Sequence, residues 1–318
     1  MQSAAALALA PALNPAVAAL GQSTPAIDAH IHLFNPDRRG GVPWPDRSDT
    51  VLYRAALPAR YQQLAEPHGI VGAIAIECSP WMIDNFWLQE EVDRNPAMLG
   101  FIGDLMPEAP DFGATLDRLS RSPLFLGIRY GNLWNRDLYA AVQCPEFIAG
   151  VKTLAQAELV FETANPDSRL IAAVLRLTDQ VQGLRVVLDH LPHAEVPAAA
   201  AARAEYEANL HELSARPSIF VKGSEIVRRV AGTVSLDAGY YKASLDRIWD
   251  LFGEDRILFG SDWPNSDSLA LFDETFGIAQ RYIASRSARA QQAYFWKNSI
   301  SAYRWHARTP QQTRLLDS

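Results

Sequence analysis

The sequence has few cysteines and no concentrated positive charge. Its 318 residues include only two cysteines, Cys78 and Cys144, which have no metal-type spacing and form no disulfide framework. Lysine and arginine total 29 against 36 acidic residues, the formal net charge is −7, and no long basic run occurs. Because phosphate backbones are bound by clustered Lys and Arg, this pattern argues against a nucleic-acid partner.

A long unbroken hydrophobic segment is also absent. Residues 1–23 are small, apolar and uncharged, but Pro11 and Pro15 interrupt them, so we predict no membrane-spanning helix. The stretch resembles the hydrophobic and cleavage regions of an export signal, although the usual basic leading region is missing. Export to the periplasm and a cytoplasmic protein with a disordered Ala-rich tail both remain open. We exclude 1–23 from the fold and predict one folded domain over 24–318.

The remaining chain alternates between strand-like and helix-like runs. Helical patterns occupy 81–94, 111–121, 165–181, 198–215 and 243–252, a final helical region covers about 268–305, and the polar segment 35–58 reads as a long loop. Eight strands separated by helices predict an α/β protein with a single (β/α)8 TIM-type barrel, with a doubly wound sheet as the alternative. The predicted strands are 26–34, 70–78, 98–105, 124–130, 158–163, 184–190, 217–223 and 256–262.

The first strand ends in two histidines. Side chains alternate along a strand, so in IDAHIHLF the residues His30 and His32 share a face, with Asp28 behind them. Imidazole is the commonest metal ligand near neutral pH, and two imidazoles at this spacing can hold one cation. The pair predicts a metal site at the carboxyl end of the first strand; a chance pairing of two histidines is the alternative.

Two further strands end in residues of the same kind. In RILFGSDWPNSD, Asp262 follows a buried strand, and a buried carboxylate is unfavourable unless it is paired or bound to metal. In LRVVLDHLPH, alternation places His190 on the inner face and Asp189 on the opposite side. Catalytic residues of such barrels lie at the carboxyl ends of the strands, so we expect His190 and Asp262 to meet the first-strand histidines. An N-cap or turn role for Asp262 and a loop role for His190 are the alternatives.

Other strand ends carry weaker candidates. Glu77 ends the second strand and suits a fourth metal ligand, while the Arg129 guanidinium suits a substrate carboxylate. Lys222 closes the seventh strand and is placed to stabilise a developing oxyanion. Ordinary ion pairing is the competing interpretation for all three. Tryptophans in the loops after the strands suit the walls of a binding site, and of these we select Trp81 and Trp263 as substrate contacts.

These motifs together resemble the amidohydrolase-related family, in particular its lactonase branch, which includes fuconolactonases and pyrone-dicarboxylate lactonase. The resemblance runs from about Ile27 to Tyr303 and includes IECSPWMIDNFWL and GIRY, with VKGSEI as a looser match. It implies a (β/α)8 fold with the histidines of the first and sixth strands and the acid of the eighth at the catalytic centre. Many members also have a His on the fifth strand and a modified Lys that bridges two metals. The fifth strand here, AELVFET, has neither, so we expect no binuclear site.

The predicted function is metal-assisted hydrolysis of a lactone, the cyclic ester of a sugar acid or a dicarboxylic acid. One divalent cation, Zn²⁺ or Mn²⁺, would be held by His30, His32, Glu77 and Asp262, although metal-free catalysis is the alternative that some relatives imply. Asp262 would act as the base, and His190 and Lys222 would carry developing charge. A decarboxylase of an aromatic or unsaturated acid and a non-catalytic small-molecule binder are the other interpretations. The partner is a small molecule, and the oligomeric state is open.

Overall fold

The computed structural model describes residues 24–194 and 196–317. Eight parallel strands form one sheet in chain order, with helices between them. The predicted (β/α)8 barrel is therefore confirmed, and each predicted strand is present, although most end two or three residues earlier than expected. The strands are β1 (Ala26–His32), β2 (Ile70–Ile76), β3 (Met98–Gly103), β4 (Phe125–Arg129), β5 (Val160–Glu162), β6 (Arg185–Leu188), β7 (Ile219–Gly223) and β8 (Ile257–Phe259).

The helices cover the outer face of the strands. Their apolar stripes, such as Leu170, Val174 and Leu177, are buried against the sheet. The segment 35–58 consists of turns and bends up to the first helix, as expected for a long loop. The helices are α1 (Pro58–Ala65), α2 (Met82–Arg94), α3 (Phe112–Leu119), α4 (Leu138–Ala141), α5 (Pro145–Gln156), α6 (Ser168–Gln180), α7 (Ala200–Ser214), α8 (Ala238–Phe252), α9 (Phe272–Ile283), α10 (Ala288–Gln292), α11 (Asn298–Tyr303) and α12 (Pro310–Leu316), with a π-helical turn at Ala293–Lys297.

Backbone contacts between β1 and the segment after β8 close the barrel. The amide of Asp262 donates to the His30 carbonyl at 2.9 Å, and the amide of His32 donates to the Trp263 carbonyl at 2.7 Å. Gly260 lies against β1, where a Cβ atom would come within 2.8 Å of the His30 Cβ. A glycine is therefore needed for the close approach that brings Asp262 beside the two histidines.

Asp28 also joins the two ends of the barrel. Its Oδ1 accepts from the backbone amides of His30 (3.1 Å) and Ser261 (2.9 Å), and its Oδ2 accepts from the Tyr61 hydroxyl at 2.8 Å. The side chain is fully buried. Burial raises the pKa of Asp28 from 3.8 to about 6, although these hydrogen bonds oppose the rise.

We expect Asp28→Asn to remove a pH-dependent loss of stability. The folded protein keeps the Asp28 proton up to about pH 6, whereas the unfolded chain releases it near pH 3.8. The free energy of unfolding therefore falls as the pH rises through this window, by about 3 kcal/mol for this group. Chemical denaturation across the window should show the variant gaining that amount relative to wild type. A difference between the two proteins that stays constant with pH would contradict the assignment.

None of the helices within 24–194 and 196–317 combines the length and the hydropathy that a membrane-spanning segment requires. The segment interpreted as an export signal or a tail, 1–23, lies outside the described residues. The choice between export and a cytoplasmic location therefore stays a prediction.

Candidate active site

Two histidines and one aspartate meet at the carboxyl end of the barrel. The Nε2 atoms of His30 and His32 are 3.3 Å apart. Asp262 Oδ1 lies 3.4 Å from the first of these nitrogens and 3.2 Å from the second. All three side chains are buried. The expected convergence of the β1 histidines with Asp262 is what the structure shows.

These three atoms have the spacing of ligands around one cation. Bonds of about 2.0 Å to a tetrahedral Zn²⁺ place ligand atoms about 3.3 Å apart, close to the three separations observed. Asp262 Oδ1 is buried and accepts no hydrogen bond, while Oδ2 accepts from the Asn265 side-chain amide at 2.7 Å. By distance and donor type, His30, His32 and Asp262 fit a single divalent cation.

The two β1 histidines differ in their outer contacts. His32 Nδ1 lies 3.0 Å from the carbonyl oxygen of Ile76, which only accepts, so this nitrogen carries a proton and, in the neutral ring, Nε2 faces the site as a lone pair. His30 Nδ1 instead lies 3.0 Å from the Lys222 ammonium nitrogen. A hydrogen-bond acceptor therefore lies behind His32, whereas a hydrogen-bond donor lies behind His30.

His190 and Asp189 both belong to the site. β6 ends at Leu188, and His190 adopts a left-handed backbone with φ 52°, so strand alternation no longer applies there. The expectation that Asp189 faces away was wrong, because its carboxylate lies 3.6 Å from His30 Nδ1. His190 Nδ1 lies 2.8 Å from the Ser224 hydroxyl, and the His190 and His30 rings are 4.6 Å apart.

A buried polar cluster lies behind His30. The Lys222 side chain is fully buried, with its Nζ 2.5 Å from Glu162 Oε1 and 3.1 Å from Asp189 Oδ1. Glu162 Oε2 accepts from the Tyr303 hydroxyl at 2.7 Å. Burial alone would raise the pKa of Asp189, but the Lys222 ammonium holds it well below its ordinary value. Lys222 thus lies beneath the site, out of reach of a substrate oxygen in the cavity.

Glu77 and Arg129 are bound to each other. The Arg129 Nε donates to Glu77 Oε1 at 2.7 Å, while Glu77 Oε2 accepts from the Trp134 indole and the Ser79 amide, each at 3.1 Å. Among the described residues, the groups that could hold a metal do not include Glu77. Arg129 also lies 3.5 Å from Asp189. The structure therefore places Glu77 on Arg129 instead of beside His30 and His32.

A cleft of about 200 Å³ opens above these residues. Two of the tryptophans form part of its wall, but they are Trp44 and Trp134. Trp263 is fully buried beside Tyr61, and Trp81, which is 40% exposed, is not among the residues around the cleft. The structure thus brings neither of the two tryptophans selected from the sequence to the cavity. The lining consists of His32, Trp44, Cys78, Arg129, Leu133, Trp134, Ala164, Asn165, His190, Glu225, Asp262 and Asn265.

Several polar residues of the site were not found from the sequence. Glu162 ends β5 and Asn265 follows Asp262, both at the rim where functional side chains collect. A charged residue at the end of an otherwise apolar strand was the available signal for Glu162. Tyr303 reaches the cluster from α11, and nothing in its local sequence indicates this contact.

Comparisons with known proteins agree with this geometry. The model of the Amidohydrolase family matches residues 27–305. The chain is 27% identical over 281 residues to L-fucono-1,5-lactonase from Burkholderia multivorans, covering 85% of this chain and 92% of that protein. A zinc-bound amidohydrolase structure from the same organism is 25% identical with a TM-score of 0.76, over 89% of this chain and all of that one. A further similar structure is described as a 2-pyrone-4,6-dicarboxylic acid hydrolase from Pseudomonas putida. It is 20% identical with a TM-score of 0.69, over 88% of this chain and 97% of that one, and at this identity it supports the fold alone. The chain belongs to the amidohydrolase family of hydrolases.

Proposed function

We propose that the protein hydrolyses an uncharged lactone of the sugar-acid type. One observation carries the proposal: the buried carboxylate of Asp262 meets three imidazoles at the base of an open cleft, with one oxygen that accepts no hydrogen bond. A carboxylate in this setting can take a proton from water. The relative from B. multivorans, whose name gives L-fucono-1,5-lactone as its substrate, supports the same chemistry.

In the proposed reaction Asp262 acts as general base. It removes a proton from a water molecule as the water oxygen attacks the ester carbonyl carbon. The imidazoles of His30 and His190 face the negative charge that develops on the carbonyl oxygen. When the tetrahedral intermediate collapses, the ring C–O bond breaks, and Asp262 returns its proton to the leaving alkoxide. One water is consumed, and the product is an open-chain hydroxy acid.

A cation is consistent with this site. Zn²⁺ or Mn²⁺ would be held by His30, His32 and Asp262, and when bound it supplies Lewis-acid polarisation of the ester carbonyl. Glu77 is left out of this proposed ligand set because both of its oxygens accept hydrogen bonds from other groups. Lys222 is left out of the residues that touch substrate because its ammonium lies on the Nδ1 side of His30, away from the Nε2 atom that meets Asp262.

The charges around the cleft favour an uncharged substrate. Among the described lining residues, Arg129 is the only lysine or arginine, and its guanidinium is bound by Glu77 at 2.7 Å and lies 3.5 Å from Asp189. Burial alone would lower the pKa of Arg129, but these two carboxylates raise it above its ordinary value. Asp262 adds negative charge to the lining. A substrate carboxylate would enter this cleft without an unpaired cation, and the expected role of Arg129 as its partner is no longer proposed.

The test is a direct comparison of substrates. Purified protein is assayed with L-fucono-1,5-lactone and related sugar lactones, and with hydroxybenzoates, under one set of conditions. We expect proton release and loss of lactone well above the spontaneous rate, with no loss of carboxyl groups from the benzoates. Decarboxylation without lactone turnover would replace the proposal with the decarboxylase alternative. Binding of a lactone without turnover would identify a non-catalytic binder.

A further inference from the structure

We infer that Lys222 is a positioning residue that fixes the proton of His30 on Nε2. In this state the Nε2–H group of His30 points into the site, and a nitrogen that carries a proton cannot bind a cation. The catalytic consequence rests on the proposed function, whereas the position of the proton does not.

The inference begins with the hydrogen-bond donors of Lys222. An ammonium group has three N–H donors and no acceptor. Three oxygen or nitrogen atoms lie around Lys222 Nζ: Glu162 Oε1 at 2.5 Å, His30 Nδ1 at 3.0 Å and Asp189 Oδ1 at 3.1 Å. The side chains of this cluster are fully buried. Glu162 Oε1 and His30 Nδ1 accept hydrogen bonds from Lys222, whereas Asp189 Oδ1 is a charge neighbour that accepts no hydrogen bond.

A ring nitrogen that accepts a hydrogen bond carries no proton. The neutral imidazole of His30 must then hold its proton on Nε2. Because His30 Nδ1 lies 3.0 Å from a group that can only donate, that nitrogen is unprotonated and the ring is neutral. The Nε2 proton has acceptors available on the site side, His32 Nε2 at 3.3 Å and Asp262 Oδ1 at 3.4 Å.

The opposite arrangement at His32 supports this assignment. The Ile76 carbonyl fixes the proton of His32 on Nδ1 and leaves the Nε2 lone pair facing His30. One ring therefore donates and the other accepts across the 3.3 Å contact. A neighbouring group that fixes the tautomer of a histidine also determines whether the other ring nitrogen donates a hydrogen bond or offers a lone pair to a metal.

A bound cation and Lys222 require different tautomers of His30. A metal ligand needs a lone pair on Nε2, so the proton must move to Nδ1. Nδ1 would then face the Lys222 ammonium, donor against donor, with Asp189 Oδ1 as its remaining acceptor at 3.6 Å. The spacing of the three site atoms fits a cation, but the contact behind His30 weakens its binding. We therefore expect the protein to bind Zn²⁺ weakly while Lys222 is in place.

Nitrogen NMR of the metal-free wild-type protein tests the inference without any substitution. Long-range ¹⁵N–¹H correlation spectra distinguish the two neutral tautomers, and His30→Gln identifies the His30 signals. We expect the Nε2–H form at His30 and the Nδ1–H form at His32. An Nδ1–H form at His30 in the metal-free protein would overturn the inference, whether or not the protein hydrolyses lactones.

A matched pair of variants provides the second test. Lys222→Met combined with Glu162→Gln removes the ammonium while keeping the cluster close in volume and charge, and Glu162→Gln alone retains Lys222. Calorimetric titration with zinc sulfate should show at least about tenfold tighter binding to the double variant than to either the single variant or the wild-type protein, which has the same net charge as the double variant. The kcat on the lactone should fall by about 10²-fold in the double variant, with KM within about threefold, as expected for a lost oxyanion donor. Equal zinc affinities and an unchanged His30 tautomer in the two variants would contradict the role of Lys222.

Discussion

Replacement of Asp262 by asparagine is expected to lower kcat by about 10³-fold, the typical contribution of a general base. Asparagine keeps the shape of the side chain and tolerates the left-handed backbone of this position, where φ is 59°. It can still accept from the Asn265 amide, which now donates to Oδ2 at 2.7 Å. Only the ability to take a proton is lost, so KM should stay within about threefold. Steady-state kinetics on L-fucono-1,5-lactone measure both values.

Asp267→Asn is the control for this substitution. Asp267 lies five residues further along the same segment, but its carboxylate contacts Arg60 at 2.9 Å and Arg54 at 3.4 Å, outside the cleft. We expect its kcat to remain within about twofold of wild type, since partly exposed ion pairs contribute little. An Asp262→Asn variant that hydrolyses the lactone as fast as this control would remove Asp262 from the mechanism.

A lactone that carries a carboxylate should be hydrolysed far less efficiently than its uncharged counterpart. The matched substrates are an aldonolactone and the aldarolactone of the same sugar, which differ by a terminal hydroxymethyl or carboxylate group. Because Arg129 is already bound by Glu77 and close to Asp189, the added charge finds no unpaired cation in the cleft. We expect kcat/KM to favour the uncharged lactone by at least about 10³-fold, the order seen when a polar group is left unpaired.

The Glu77→Gln variant tests whether the Glu77–Arg129 pair causes that preference for the uncharged lactone. The substitution removes the charge that neutralises Arg129 while retaining the size of the side chain. The preference for the uncharged lactone should then decrease by about tenfold or more, with the folded state checked by circular dichroism. Comparable kcat/KM values for the two lactones in the wild-type protein would show that Arg129 is available to substrates, contrary to the pairing described above.

The positions of the main site residues could be predicted from the sequence because they depend on strand ends. In a parallel barrel all carboxyl ends meet at one rim, so His30, His32, His190 and Asp262 could be placed together before any coordinates. Asp189 could not, because the alternation was counted from His190, where the left-handed backbone breaks it. The register pairs Val187 with the inward Glu162 and so places Asp189 inward as well. Strand periodicity holds only as far as the strand continues.

The pairings among charged residues could not be predicted. Glu77, the residue after β2, and Arg129, the last residue of β4, are 52 residues apart, and their side chains meet across the barrel. Lys222 was correctly expected at the end of β7, but only the structure shows it behind His30 and beneath the cleft. Such contacts depend on the register and tilt of the strands, which a single sequence does not determine. These contacts identify Glu77 as the ion-pair partner of Arg129, whereas the sequence had suggested a metal ligand.

A crystal structure of the Asp262→Asn variant with L-fucono-1,5-lactone tests the central claim most directly. We expect the intact lactone in the cleft, its carbonyl oxygen within hydrogen-bond distance of the His30 or His190 ring, and its carbonyl carbon one water molecule away from residue 262. A lactone bound with its ester at the mouth of the cleft, turned away from these residues, or bound elsewhere on the barrel, would contradict the assignment of this site.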